Sequence, residues 1–353
     1  MEIRKAYFHL PGLFEFYELY RVFLPLYRTH RDWFYDWCEI GSLYGAPADC
    51  LWGGGRTGCS RHTAREVLAL AQEYGISARL TFSNSLLREE HLTDPKCNAL
   101  CAQFAQGSVQ NGVIVHSDLL VDYLQEHYPE LYLVSSTTKV LTEFAQLEAE
   151  TARPEFRYVV PDFRLNKALA QLDSLPQPQK DKLEFLCNEC CWFGCTDRRH
   201  CYENVSRRNL GELCPEHRCT APGAAEGYRF SKAMRNPGFI GVEDIRSTYL
   251  PMGFSLRDGH EIRLHILRHF VHHPYLPLHK LVTDAVVQFR VVIKGIKMLF
   301  DAEQDARPPE GAVQRIPYKR VAAFVRSAQR IQLGRKAGYC IFRQQIGTYG
   351  VIV

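Results

Sequence analysis

The sequence lacks the features that mark secreted and membrane proteins. Its N-terminus mixes Glu2 with Arg4 and Lys5 and breaks at Pro11 and Gly12, which is unlike a secretory signal peptide. No run approaches the roughly 20 uninterrupted apolar residues of a membrane-spanning helix. The formal net charge of the 353-residue chain is only +4, so composition alone favours no nucleic-acid partner. We therefore expect a cytoplasmic protein with no membrane partner.

Two familiar site motifs are also missing. No Gly-x-Gly-x-x-Gly follows the first predicted strand, so a dinucleotide-binding doubly wound sheet is the weaker structural alternative. The histidines at 265, 269, 272 and 273 recur at near-helical spacing but form no His-Glu-x-x-His arrangement. We interpret them as a solvated face of a helix predicted over His260–His272.

Cysteine, in contrast, is abundant. The chain has 13 cysteines, and seven of them lie between Cys187 and Cys219. An odd number in a chain of this length argues against a secreted disulfide scaffold. In a reducing compartment, such a cluster is more typical of a metal site than of disulfides.

Short β-rich runs alternate with amphipathic helical segments along the first three quarters of the chain. This alternation predicts parallel strands joined by crossover helices, and eight units favour closure into a (β/α)8 TIM-like barrel. The eight predicted strands are Lys5–Leu10, Asp36–Leu43, Ala78–Asn84, Gly112–Ser117, Leu131–Ser136, Phe156–Phe163, Leu183–Glu189 and Gly253–Asp258.

Two regions extend beyond a minimal barrel. A cysteine-rich loop is predicted after the seventh strand, over residues 187–247, and a loop of this length inside a compact domain is usually functional or disordered. We accordingly divide the chain into a barrel over residues 1–280, which includes this insertion, and a helical C-terminal extension over residues 281–353.

The cysteine-rich loop begins where active sites of such barrels are built, at the C-terminal ends of the strands. Cys191 and Cys195 are separated by three residues, so a tight turn brings both thiolates to one ion or cluster. Soft thiolates suit zinc and iron–sulfur clusters. The competing interpretation is a loop of packed, inert thiols.

A second motif, YGAPADCLWGGGR at Tyr44–Arg56, follows the second strand and places Cys50 at the same end of the barrel. Gly54 and Gly55 leave backbone amides unobstructed, and Arg56 is a planar donor for a carboxylate or phosphate. We therefore predict an anionic substrate here. A plain tight connection between strand and helix explains the glycines equally well.

Asn188 and Glu189 end the seventh strand beside the cysteine loop. Glu189 is a candidate general acid or base if it is buried, and Asn188 is its candidate partner. A purely structural, salt-bridged role for Glu189 is the alternative.

These pieces resemble the collagenase-like peptidase family U-32, in its uncharacterised bacterial branch. The similarity covers about residues 5 to 275. It rests on segments beginning at five positions: YGAPADCLWGGGR at Tyr44, FSNS at Phe82, NGVIVHSDLL at Asn111, VVPDFRLN at Val159 and FLCNECCWFGCTDRRHCYEN at Phe185.

The resemblance implies a TIM-like barrel and, from better-understood relatives, oxygen-independent hydroxylation with a 4Fe–4S cluster held by four cysteines. Carried over by position, Cys191 and Cys195 are expected ligands, Cys50 is a third candidate and Cys201 is a fourth. The cysteine spacings differ from those of the hydroxylation proteins, and the closing strand reads SLRDG where Gly-Arg is usual. These departures leave the substrate open.

Three functions are therefore compared. The first is an iron–sulfur enzyme acting on an anionic small molecule or RNA, with a partner subunit of the same family as a further expectation. The second is a peptidase, for which the sequence shows no Cys–His pair or open metal site. The third is a non-catalytic barrel with structural zinc, which needs four closed ligands.

Overall fold

The computed structural model describes most of the first three quarters of the chain. The described residues are 5–47, 49–54, 62–189, 191–215, 217–222, 224 and 233–254, together with the backbone of 261–265. Gly55, Arg56 and the predicted C-terminal extension, residues 281–353, lie outside them. Within these ranges, no helix has the length and apolar character needed to cross a bilayer.

Eight parallel strands form one curled sheet. Their bounds are β1 Lys5–Pro11, β2 Cys38–Gly45, β3 Ser77–Phe82, β4 Gly112–Val115, β5 Tyr132–Ser135, β6 Phe156–Val159, β7 Glu184–Leu186 and β8 Glu261–His265. The strand order is β6-β5-β4-β3-β2-β1-β8-β7. It contains no reversal of the kind that defines a doubly wound sheet.

Helices follow most of the strands, as the alternation predicts. Their bounds are α1 Tyr17–Thr29, α2 Ala64–Glu73, α3 Glu89–Leu92, α4 Pro95–Phe104, α5 Asp118–His127, α6 Phe144–Ala152, α7 Leu169–Ser174, α8 Gln177–Lys180, α9 Arg198–Asn209 and α10 Val242–Asp244. The start of α2 is fixed by a capping box, in which Thr63 and Glu66 bond each other's backbone N–H groups. The α/β class is therefore confirmed.

Side-chain alternation assigns the two faces of the sheet. Leu80, Leu133 and Phe185 belong to the large apolar core between sheet and helices. Ile114 and Tyr158, which have the opposite parity, belong to a smaller apolar cluster on the inner face. Along each strand, the polar side chains that alternate with residues of the outer core therefore also point to the inner face.

The closing strand lies later in the chain than the sequence predicts. Gly253 is part of a turn, and β8 occupies Glu261–His265, inside the segment predicted as the helix His260–His272. β8 pairs in parallel with both β1 and β7. Pairing with a strand on each side stabilises these residues as a strand. This stabilisation outweighs the helix that the histidine spacing favours over only a few residues.

The cysteine-rich insertion is also more regular than predicted. Helix α9 occupies Arg198–Asn209, in the first half of the expected loop. Its sequence, RRHCYENVSRRN, is so rich in charge that no apolar stripe signals a helix. The insertion is therefore held by a helix as well as by loop contacts.

Candidate functional site

A buried ion pair crosses the inner face of the sheet. Arg79 of β3 donates two hydrogen bonds, of 2.7 and 2.8 Å, to the carboxylate of Glu184 in β7. Its Nε donates a third, of 2.8 Å, to the Tyr132 hydroxyl. His9 Nδ1 lies 2.7 Å from Ser42 Oγ, and His9 Nε2 lies 3.5 Å from Glu184 Oε1. This network fills the inner face with fixed, compensated charge.

A second charged network lies where β6 and β7 end. Arg198, the first residue of α9, contacts Glu189 at 2.8 Å and Asp162 at 3.4 Å. Arg164 also pairs with Asp162, with its Nε 2.6 Å from Asp162 Oδ1. Asp162, Glu189 and Arg198 are all buried. These contacts attach α9 to the C-terminal ends of two strands.

Glu189 has the salt-bridged environment that was the structural alternative for it. Its Oε1 accepts the backbone N–H of Cys191 at 2.8 Å while its Oε2 accepts from Arg198. Asn236 donates to the backbone oxygens of Glu189 and Cys191, at 3.2 and 2.8 Å. Hydrogen bonds therefore fix the backbone N–H of Cys191 and the backbone carbonyls of Glu189 and Cys191. Asn188, the candidate partner of Glu189, is buried beside it.

Cys191 and Cys195 are both partly accessible at this edge of the sheet, and they are close enough for Cys195 to affect the pKa of Cys191. Burial raises the pKa of the Cys191 thiol to about 12. Arg198 opposes this rise in pKa, whereas Glu189 and the neighbouring Cys195 add to it. Cys191 also packs against the inner apolar cluster. Arg198 therefore does not bring the pKa of the Cys191 thiol below its ordinary value.

Cys50 lies in a different environment. Its sulfur is 3.1 Å from that of Cys97, and both belong to the outer apolar core. Asp94 accepts the backbone N–H of Cys97 and so fixes the first turn of α4, which carries this thiol. Cys101 on the same helix is also buried.

This placement corrects the expectation that Cys50 faces the Cys191–Cys195 pair. The residue follows a strand at the expected edge, but its loop turns the thiol outward onto α4. Cys201 lies on α9 and is partly buried. Among the described residues, no three cysteine sulfurs lie within 4.8 Å of one another, so no such set surrounds a single metal ion. Cys50 lies in the apolar core against Cys97, so the four residues Cys50, Cys191, Cys195 and Cys201 do not converge as one ligand set.

The described part of the glycine-rich turn has a packing role. A Cβ on Gly54 would lie 2.2 Å from the backbone carbon and oxygen of Ser83, so two loops meet there too closely for any side chain. The carbonyl of Gly53 accepts a hydrogen bond from Asn209 of α9. The turn therefore supports α9. This packing role agrees with the alternative interpretation of the glycines, as a plain tight connection between strand and helix.

Several site residues are not identifiable from the sequence alone. Arg79 stands within an apolar strand pattern, where a lone charge signals burial with a partner but not which partner. Arg164 has no motif around it, and its bond to the Cys195 carbonyl, at 2.8 Å, joins segments 31 residues apart.

No protein-family model matches the chain, and no curated protein matches it. Among solved structures, a U32 peptidase is similar with a TM-score of 0.45 and 14% sequence identity. The match covers 77% of this chain and 95% of that one. The similarity is therefore distant in both sequence and structure.

Proposed function

We propose that this chain is a closed (β/α)8 barrel with a thiolate-ligated metal centre at the C-terminal ends of its strands. Closure is supported by the single bridge between Val159, at the end of β6, and Leu183, just before β7. Cys191 and Cys195 are two of the proposed ligands. The observation that carries the proposal is their mutual proximity at the one edge where barrel enzymes place their chemistry.

The surroundings of Cys191 suit a metal ligand better than a nucleophile. A thiol with a pKa of about 12 stays protonated at neutral pH, so it offers little thiolate for attack. A soft metal ion replaces that proton and stabilises the thiolate. Glu189 acts as a positioning residue, because it binds the Cys191 N–H and is itself neutralised by Arg198.

Iron–sulfur redox chemistry, with oxygen-independent hydroxylation as its leading form, is the version that the U-32 resemblance implies. Zinc is the alternative for the same two thiolates. Ligands beyond Cys191 and Cys195 would have to come from elsewhere, since Cys50 lies against Cys97. We derive no reaction step through a cluster.

We also propose an anionic substrate, a small molecule in preference to RNA. Burial, Lys139 and Arg199 lower the pKa of His116 to about 4, although Asp118 and Glu150 oppose them. His116 follows β4 at the same edge of the sheet, so it provides a neutral imidazole there, with Arg199 nearby and Lys139 paired with Glu150 and Asp118. Arg56 remains a proposed further anion contact.

A peptidase function is less well supported by the same geometry. Ser42, His9 and Glu184 form a line that resembles a hydrolytic triad. All three are at most 2% exposed, and Arg79 already binds the Glu184 carboxylate. A peptide bond cannot reach such a serine without opening the sheet, so we interpret the line as core packing.

Metal analysis of anaerobically purified full-length protein tests the proposal. Iron with sulfide, or zinc, should be present and should fall by most of its amount in Cys191→Ser and Cys195→Ser. Cys50→Ala is the matched control, because its sulfur lies against Cys97, and it should keep the metal. Unchanged metal in both serine variants would overturn the thiolate centre.

A further inference from the structure

Three ionisable side chains outside the thiolate pair converge beside the start of α9. They are Asp197, His200 and His217, and their ligand atoms all lie within 4.8 Å of one another. Asp197 Oδ1 lies 3.3 Å from His200 Nδ1, and Asp197 Oδ2 lies 3.3 Å from His217 Nε2. The two imidazole rings are 5.2 Å apart between centroids and inclined by 64°.

The backbone explains how these residues meet. Asp197 and His200 are three residues apart at the first turn of α9, so they lie on one side of the helix. His217 returns to that side from the extended chain that follows α9. The side chains therefore come from two segments, which α9 holds in a fixed relation.

The conformation of Asp197 is a second, independent observation. It occupies the N-cap of α9, where an aspartate ordinarily accepts a stabilising backbone N–H bond. Its side chain makes no such cap bond. Instead, both carboxylate oxygens face the histidines.

We infer that Asp197, His200 and His217 bind one divalent transition-metal ion of the zinc, iron(II) or manganese(II) class. Nitrogen and oxygen ligands about 2.1 Å from a tetrahedral ion are about 3.4 Å apart, and each histidine nitrogen lies 3.3 Å from one of the two Asp197 carboxylate oxygens. Two histidines and one carboxylate are a ligand set that suits these metals. Three protein ligands leave at least one coordination position open to water or substrate.

The partial burial of the cluster fits such an open site. The His217 side chain is 12% exposed and the His200 side chain is 65% exposed, so one ligand is anchored and one borders solvent. Arg198, the adjacent cation, is held by Glu189 and Asp162. Its charge is therefore compensated before an ion arrives.

Cobalt(II) is the probe for the test, because zinc is spectroscopically silent. Chelator-treated full-length protein carrying Cys191→Ser and Cys195→Ser, which removes the proposed thiolate centre, should bind one equivalent and show visible d–d bands without a sulfur-to-cobalt charge-transfer band. His200→Ala and His217→Ala should each weaken binding at least tenfold. His127→Ala, at an exposed helical histidine, is the matched control and should bind like the parent protein.

Asp197→Asn removes the charge with little change in shape, so it tests the site even if a histidine variant folds poorly. It should also weaken binding and abolish the rise in Tm that the ion produces. Unchanged cobalt binding in this variant and in His217→Ala would overturn the inference.

The cobalt spectra distinguish the Asp197–His200–His217 site from the proposed thiolate centre. The double variant Cys191→Ser/Cys195→Ser should leave the d–d bands intact. A charge-transfer band that disappears in that double variant would report the thiolate centre, whereas loss of the d–d bands in the double variant would assign the ion to the thiolates and overturn the inference. Loss of the d–d bands in His217→Ala alone would support it.

Discussion

Replacing Glu184 with glutamine should cost a substantial part of a typical domain's stability margin. The change keeps the shape of the side chain and removes the negative charge from Arg79. The guanidinium would keep its bond to the Tyr132 hydroxyl and its contacts with two tyrosine rings. It would lose the opposite charge in a place where its side chain is 1% exposed, so water cannot replace it.

The expected loss is about 3–5 kcal/mol in the free energy of unfolding, because breaking a buried pair leaves an uncompensated charge. Domains of this kind have roughly 5–15 kcal/mol in total. The double variant Arg79→Met/Glu184→Leu removes both charges and should recover most of the loss. With the single variants Arg79→Met and Glu184→Leu, the double variant completes a cycle that measures the coupling.

Urea unfolding followed by circular dichroism is the assay. The control is Glu243→Gln, which breaks the exposed pair of Arg246 and Glu243 at 3.0 Å. That loss should stay below about 1 kcal/mol. If Glu184→Gln lost as little stability as the control Glu243→Gln, the reasoning would be refuted, because water or a neighbouring group would then reach Arg79.

Three further predictions concern the strand ends. Gly54→Ala should destabilise the protein by about 1–3 kcal/mol in urea unfolding, because its Cβ meets the Ser83 backbone; an unchanged midpoint would contradict this contact. Alkylation of metal-free Cys191 by iodoacetamide, followed by mass spectrometry, should be slow at neutral pH and accelerate toward its pKa of about 12; a plateau near pH 8 would exclude that value. His116, with a pKa of about 4, should stay neutral to low pH by NMR. Because that value lies below about 6.5 for the unfolded chain, stability should fall as pH drops from 6.5 to 4, and Lys139→Met should raise the pKa of His116.

Local periodicity was enough to identify the α/β class and the first seven strands. Each of these strands is a short β-rich run, and most are followed by helical segments, so the pattern is visible within ten or so residues. The proximity of Cys191 and Cys195 is similarly local, because only three residues separate them. The sequence pattern placed the eighth strand wrongly. Its five residues, EIRLH, form a run too short to stand out from the helical spacing of the histidines around it.

Contacts between distant segments were decided only by the tertiary structure. Cys50 was expected at the cluster because its strand ends at the right edge, but the direction of a loop thiol depends on its neighbours, and α4 offers Cys97. The partners of Arg79 and Arg198 lie on other elements, so no spacing rule connects them. Asp197 meets His217 only because α9 forms and the following chain returns. Sequence periodicity reports which face of an element is buried, whereas a site depends on how several elements pack together, and that is set by the whole core.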